Sequence, residues 1–250
     1  MLQVAILAGG LATRLRPLTK KIPKILLDVA GRPFAEWQVE LLRRNGVERI
    51  VYCLGFLGEQ VQTALGDGSR WGMTFDYISD GPRLLGTGGA IKRAAPLLDD
   101  SFIVMYGDSY LPCDMPPIEE RFHASGKSGL MTVFRNEGLW DTSNVAFTDG
   151  KILRYHKEQL TPDMAYIDYG LGVLRRDVLD RYPADAPLDL ARVYQDLLQE
   201  DNLAGYEVNQ RFYEIGSREG LEELSEYLKR GMDRINRMNR IGGPSAASNG

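Results

Sequence analysis

Apolar and polar positions fall into short blocks along the first half of the chain. Gln3 to Ala8 is an apolar run closed by Gly9-Gly10, the pattern of a buried strand ending in a tight loop. Pro33 to Arg44 has apolar residues at helical spacing, and Asn45-Gly46 stops it. Arg49 to Leu54 is β-rich, and Leu57 to Leu65 reads as a helix ended by Gly66-Asp67-Gly68. Met73 to Ser79 reads as a strand, Gly88 to Leu98 as a helix opened by glycines, and Phe102 to Tyr106 as a buried strand ending at Gly107-Asp108. Such alternation of strands and helices predicts a parallel sheet covered on both faces. Sheets of that kind bind ligands beyond the carboxyl ends of their strands, where the Gly9 and Asp108 loops fall.

The pattern changes afterwards. Leu130 to Arg135, Val145 to Thr148, Lys151 to His156, Tyr166 to Leu174 and Tyr206 to Ile215 have strand character. Thr148-Asp149-Gly150-Lys151 is a hairpin signal. Helices are expected at Arg176 to Arg181, Leu188 to Gln199 and Arg218 to Met232. The expected fold class is α/β: a Rossmann-like three-layer sandwich with a mostly parallel central sheet and added antiparallel strands over the ligand face. No linker and no internal repeat divides it, so a single domain is expected over residues 1–240, with a small polar tail at 241–250 that reads as frayed.

Composition narrows the partners. The 250 residues are 44% hydrophobic, enough for one large core, and carry a net charge of −4. No basic surplus points to nucleic acid or an anionic membrane. No run of about 18 apolar residues could span a bilayer. The apolar N-terminal strand lacks a basic leader, so it is not expected to be a signal peptide. Cys53 and Cys113 stand in apolar contexts without metal-ligand spacing, as expected of reduced core thiols in a cytoplasmic protein.

Three groups of residues carry chemistry. The first is Leu7-Ala8-Gly9-Gly10-Leu11-Ala12-Thr13-Arg14-Leu15, then Pro17-Leu18-Thr19 and Pro23-Lys24. Glycines after a strand let bare N–H groups approach a phosphate. Arg14 adds a planar fork of donors and Lys24 a compact charge, which together suit a triphosphate. A Gly-Gly turn alone would be an ordinary strand end; the combined string is far more specific. The second is Leu85-Gly86-Thr87-Gly88-Gly89-Ala90, glycines at a helix start that again permit close backbone contact. Asp80 lies just upstream, either as a turn residue or as a carboxylate that accepts the ring N–H of guanine or uracil. In the third, the strand Phe102 to Tyr106 delivers Asp108, a suitable Mg²⁺ ligand beside substrate phosphates.

These strings resemble the sugar-1-phosphate nucleotidyltransferase family, from about Leu2 to Leu228. The resemblance implies a nucleotide-binding part at about 1–112 and a sugar-binding part at about 113–228. It implies that Leu7, Ala8, Gly9, Gly10 and Thr13 lie against the nucleotide, with Gly86 and Thr87 along the base. Arg14 would bind the β- and γ-phosphates, and Lys24 would bridge the α-phosphate and the incoming sugar phosphate. Asp108 would hold Mg²⁺. In Phe212-Tyr213-Glu214-Ile215-Gly216-Ser217 the family usually has Asp where this chain has Glu214, which would be the second metal ligand, displaced by one methylene. Lys157 matches a lysine that binds the sugar phosphate, and Asp168 and Gly170 match positions that touch sugar hydroxyls. Ala12 replaces a usual Gly; Ala tolerates a left-handed backbone poorly, so either the loop bends differently or that residue has a negative φ.

The implied reaction makes an NDP-sugar and pyrophosphate from an NTP and a sugar 1-phosphate. The segment Leu85 to Lys92 and the compact length resemble manno-heptose 1-phosphate guanylyltransferases. Leu65 to Gly72 also resembles N-acetylmuramate 1-phosphate uridylyltransferases, and cytidylyl transfer is a third option. A homodimer is compatible with this reading. A nucleotide-sugar glycosyltransferase would carry an Asp-x-Asp pair, absent from Asp108-Ser109-Tyr110. A non-catalytic nucleotide-sensing subunit would typically lack Arg14 or Asp108.

Overall fold

A computed structural model describes residues 1–10, 12–81 and 83–241, with 233–241 described by their backbone alone. The expected frayed tail falls, from residue 242 onward, outside the described residues. In chain order the elements are β1 (Gln3–Ala8), the small hairpin β2 (Asp28–Val29) and β3 (Arg32–Pro33), α1 (Phe34–Arg44), β4 (Arg49–Leu54), α2 (Gly58–Leu65), β5 (Thr74–Ser79), α3 (Gly86–Ala94) and β6 (Ser101–Tyr106). Then follow β7 (Ser109–Tyr110), α4 (Pro116–Ser125), β8 (Gly129–Arg135), β9 (Val145–Thr148), β10 (Lys151–Tyr155), β11 (Tyr166–Arg175), α5 (Leu190–Gln199), β12 (Leu203–Val208), β13 (Tyr213–Glu214) and α6 (Arg218–Ile241). Short 3₁₀ turns join them, one of them at Arg176–Arg181 where a helix was expected.

One nine-stranded sheet runs in the order β5-β4-β1-β6-β11-β8-β12-β10-β9. β5, β4, β1 and β6 are mutually parallel. β11 runs against both β6 and β8, β12 is parallel to β8, and β10 is antiparallel to β12 and β9. The sheet is therefore mixed rather than mostly parallel. The later strands extend the same sheet instead of forming a separate cover, and β9 pairs back to β11 at Val145↔Tyr166.

The period-two pattern sorts the strands' side chains into two cores. Val4, Ile6, Ile50, Tyr52, Ile103 and Met105 face α1, α2, α4 and α6. Ala5, Val51, Cys53, Phe102 and Val104 face α3 and α5. That is the three-layer arrangement. α5 shows the cause: Leu190, Val193, Tyr194 and Leu197 recur at helical spacing and are all buried. Each fully buried aliphatic residue contributes about 1.5–3 kcal/mol.

Two expectations are corrected. Tyr206 to Ile215 is not one strand: the pairing of β12 ends at Val208, and polar Asn209-Gln210-Arg211 separates it from β13. α4 was not anticipated, because two prolines open it and Ile118 and Phe122 are its only buried apolar side chains.

Candidate active site

β1 and β6 are adjacent parallel strands, so Gly9 and Gly107 leave the sheet at the same end. The backbones there touch. Gly107 N–H donates to the Leu7 carbonyl at 2.9 Å, and a Cβ on Gly107 would stand 2.7 Å from that oxygen. A Cβ on Gly55, after β4, would overlap the Gly9 carbonyl and stand 2.9 Å from Gly9 Cα. Gly55 was not singled out in the sequence, because its partner lies in a different loop.

These loops form the floor of a cavity of about 280 Å³. Its lining includes Leu7, Ala8, Gly9, Gly10, Lys24, Asp80, Gly86, Thr87 and Asp108, with Thr19, Phe56 and Tyr106 added. Thr13 is exposed and not part of the wall. Ala12 has φ 47° and ψ 44°, so the negative φ expected as one alternative is not adopted and the residue takes the left-handed conformation despite its Cβ. The left-handed turn is fixed from behind by Thr19 Oγ1, which donates to the Ala12 carbonyl at 2.7 Å.

Lys24 Nζ donates to Asp108 Oδ2 at 2.7 Å. Gln38, fully buried on α1, supports the Asp108 turn by donating to the Ser109 carbonyl at 2.9 Å. β7 and β13 pair Ser109 with Glu214, and Ile215 N–H donates to the Asp108 carbonyl at 2.9 Å. Glu214 is thereby brought beside Asp108 from 106 residues away (214 − 108). Its carboxyl is pushed up to about 7, first by lost hydration, then by repulsion from Asp108 and Asp141, with Lys24 and Arg14 pulling it down. The side chain keeps solvent exposure, so water screens part of this. Arg14 stands at the same corner: a Cβ on Gly216 would lie 3.3 Å from its guanidinium.

Asp108 and Glu214 form an oxygen donor set suited to Mg²⁺, which commonly takes one or two carboxylates plus substrate phosphates. Among the described residues no group of three or more His, Cys, Asp or Glu could hold a metal by itself. The mutual repulsion of the two carboxylates is what a cation would relieve.

Asp80 is buried and lines the cavity, and its Oδ2 lies against Gly9, 3.5 Å from where a Gly9 Cβ would stand. Burial raises its carboxyl, against the Leu85 N–H and Arg93. The α3 glycines do something other than expected. Gly88 and Gly89 N–H groups donate to the Leu188 carbonyl at 2.8 and 3.1 Å, so they are not directed at a ligand. Gly86, at φ +72°, lines the cavity, and a Cβ there would stand 2.7 Å from the Leu188 oxygen.

Lys157, Asp168 and Gly170 lie outside this cavity. Asp168 and Gly170 line a narrow crevice, too tight to hold a water molecule, that shares Leu7 and Tyr106 with the first cavity. Gly170 N–H donates to Asp168 Oδ1 at 3.0 Å, and Tyr155 Oη to Oδ2 at 3.3 Å. Burial raises the Asp168 carboxyl, opposed by the Gly170 N–H and Lys157. Lys157 Nζ donates to both oxygens of Asp189, at 2.8 and 2.9 Å. Asp189 also accepts from Thr87 Oγ1 at 3.1 Å and caps α5 through Ala191 N–H at 2.9 Å. Partial burial would raise its carboxyl; the hydrogen bonds from Lys157, Ala191 and Thr87 outweigh this, and the net shift is downward. Asp189 was read only as part of a helix start.

The two cysteines and two of the tryptophans are structural. Cys53 and Cys113 are buried free thiols, pushed up by burial, Cys113 to about 12. Trp37 is buried and donates to the Val29 carbonyl, and Trp140 stacks on Arg211. No described helix is long and apolar enough to cross a membrane.

The profile of the nucleotidyl transferase family matches residues 3–143, more than half of the chain. A UTP–glucose-1-phosphate uridylyltransferase of Synechocystis is 29% identical over 227 residues, which span 84% of this chain and 58% of that relative. An N-acetylmuramate α-1-phosphate uridylyltransferase of Neisseria meningitidis is 29% identical over 222 residues, 86% of this chain and 94% of the relative. Among solved structures, HddC from Yersinia pseudotuberculosis, one crystal of which holds GMP-PN, superposes with a TM-score of 0.76 at 26% identity, covering 91% of this chain and 100% of that one.

Proposed function

The chain belongs to the nucleotidyl transferase family, the sugar-1-phosphate nucleotidyltransferases, and from that premise we propose that it transfers guanylyl from GTP to D-glycero-D-manno-heptose 1-phosphate. The observation that carries the donor half is the single cleft that joins the Gly9-Gly10 turn, Lys24, Asp80, Gly86 and Asp108. Asp80 favours a base that presents ring N–H donors, as guanine and uracil do. The GMP-PN held by HddC supports guanine. The Leu85 to Lys92 segment supports the heptose acceptor. The uridylyltransferase of N. meningitidis, matched along 94% of its length, keeps UTP with N-acetylmuramate 1-phosphate as the second reading.

In the reaction, an oxygen of the acceptor phosphate forms a bond to the α-phosphorus. The bond from that phosphorus to the β-phosphate oxygen breaks, and pyrophosphate leaves. The attacking oxygen is already ionised, so no side chain has to remove a proton. Arg14 neutralises the departing pyrophosphate, and Lys24 sits between donor α-phosphate and acceptor phosphate. Mg²⁺ held by Asp108 and Glu214 would add charge neutralisation at the triphosphate. Lys157 binds the acceptor phosphate, and Asp168 with Gly170 binds its hydroxyls. Catalysis is positioning plus electrostatic stabilisation.

Pyrophosphate release with each of four NTPs against heptose, N-acetylmuramate, mannose and glucose 1-phosphates tests this. The expected maximum is GTP with the heptose phosphate. A maximum with CTP or ATP would overturn the role of Asp80. Nucleotide binding without pyrophosphate release from any pair would favour a sensing subunit. Asp80→Asn, which turns one acceptor oxygen into a donor, is expected to lower kcat/KM for GTP about 100-fold or more.

A further inference from the structure

We propose that Asp189 is a positioning residue for the acceptor, holding the Lys157 ammonium in register with the nucleotide cleft. The inference rests on the reading of Lys157 as the acceptor-phosphate ligand. Lys157 follows β10 on an exposed bend, and a lysine ammonium rotates freely on its four-carbon stem. Something has to give it a direction. Asp189 receives it at both oxygens, at 2.8 and 2.9 Å.

Asp189 is itself fixed to the nucleotide side. Its Oδ1 accepts from Thr87 Oγ1, and Thr87 lines the nucleotide cavity. Thr87 Oγ1 in turn accepts from Leu190 N–H at 2.9 Å. The preceding residue is clamped: Leu188 N–H donates to the Leu85 carbonyl at 2.9 Å, while the Leu188 carbonyl takes the Gly88 and Gly89 N–H groups. A Cβ at Gly86, Gly88 or Gly89 would stand within 3.0 Å of this segment or of Leu85. The α3 glycines thus press the Leu188-Asp189 strap against the nucleotide helix. Any shift of that helix start would be passed through Asp189 to Lys157. Lysine has three donors, and two directed at Asp189 leave one aimed away from it.

A plain N-cap is the competing role, and the variants separate the two. Asn caps a helix as well as Asp does and still accepts from Thr87, but it holds an ammonium less strongly. Asp189→Asn is expected to keep the wild-type melting temperature and GTP KM. It should raise the KM for heptose 1-phosphate, or for mannose 1-phosphate if the panel selects that acceptor, about tenfold, the scale of one charge-assisted hydrogen bond. The double variant Asp189→Asn with Lys157→Met should be no worse than Lys157→Met alone, because Asp189 acts through Lys157. An unchanged acceptor KM in Asp189→Asn, a lowered one, or additive losses in the double variant would each overturn the proposal. If Lys157→Met itself leaves the acceptor KM unchanged, the acceptor assignment fails instead. Should Asp189→Asn unfold, Asp189→Ser supplies the same cap and the same comparison.

Discussion

Replacing Lys24 by Met is expected to move cation binding and catalysis in opposite directions. Lys24 Nζ lies 2.7 Å from Asp108 Oδ2, with the two side chains 18% and 33% exposed. At that separation the attraction is about 1.5 kcal/mol with the dielectric constant of water and about 6 kcal/mol at an effective value of 20. Both groups lose hydration to meet, and hydrogen bonds between charged groups net about 1.5–3 kcal/mol. A divalent cation that binds Asp108 has to displace this ammonium or endure its repulsion. Lys24→Met removes both costs, so Mn²⁺ binding without nucleotide should tighten by about 10- to 100-fold. Turnover should fall by about 100- to 1,000-fold, the usual loss for one electrostatic donor aimed at the reacting phosphates. Titration of free Mn²⁺ by electron paramagnetic resonance reads the first effect, and pyrophosphate release the second. Unchanged or weakened Mn²⁺ binding in a folded Lys24→Met protein would refute the view that Lys24 and the cation compete for Asp108.

Three further expectations follow from the geometry. Glu214 is raised in the folded state, so the folded protein holds more protons than the unfolded chain between the ordinary carboxyl range and about pH 7; stability contributed by this group is lost as pH rises through that window. Glu214→Gln should therefore stabilise the protein at pH 8 without divalent cation by on the order of 1 kcal/mol after allowing for solvent screening, read as a higher melting temperature, and do nothing at pH 4; equal melting temperatures at pH 8 would remove the repulsion from the account. Gly55→Ala should cost roughly 1–3 kcal/mol and weaken nucleotide binding, since the new methyl meets the Gly9 backbone; thermal melts with and without GTP check both. Ala12→Gly should relieve roughly 1–2 kcal/mol of left-handed strain and return roughly half of it as unfolded-chain entropy, a net gain of a few degrees in a melt; a loss would mean that the methyl group packs favourably.

What the sequence made legible was local. Asp108 could be read because an apolar strand ends in Gly-Asp, and the Gly9-Gly10 turn because it follows another. The alternation of strand and helix gave the three layers. Direction within the sheet was not legible: nothing in Tyr166 to Leu174 says that β11 runs against β6. Gly55 and Asp189 were hidden because their roles are contacts with loops distant in sequence. Residues such as Gly55 look like any strand end, and Asp189 like any helix cap. The break after Val208 was missed because Tyr206, Phe212, Tyr213 and Ile215 all favour strands, while the three polar residues between them decide the pairing.

The reversal of β11 has a consequence for how such a protein could be altered. Because β11 runs against β6, the beginning of one strand meets the end of the other, and Asp168 arrives beside Tyr106 without sharing a loop with it. In the proposed reaction, donor-side groups come from the carboxyl ends of β1, β5 and β6 and the start of α3, and acceptor-side groups from the entrance of β11 and the bend after β10. The two halves of the chemistry are thus written on separable stretches of chain. On the proposed reading, acceptor choice could be redesigned by exchanging residues 153–170 together with the Asp189 partner of Lys157, while leaving the phosphate loop and Asp80 untouched.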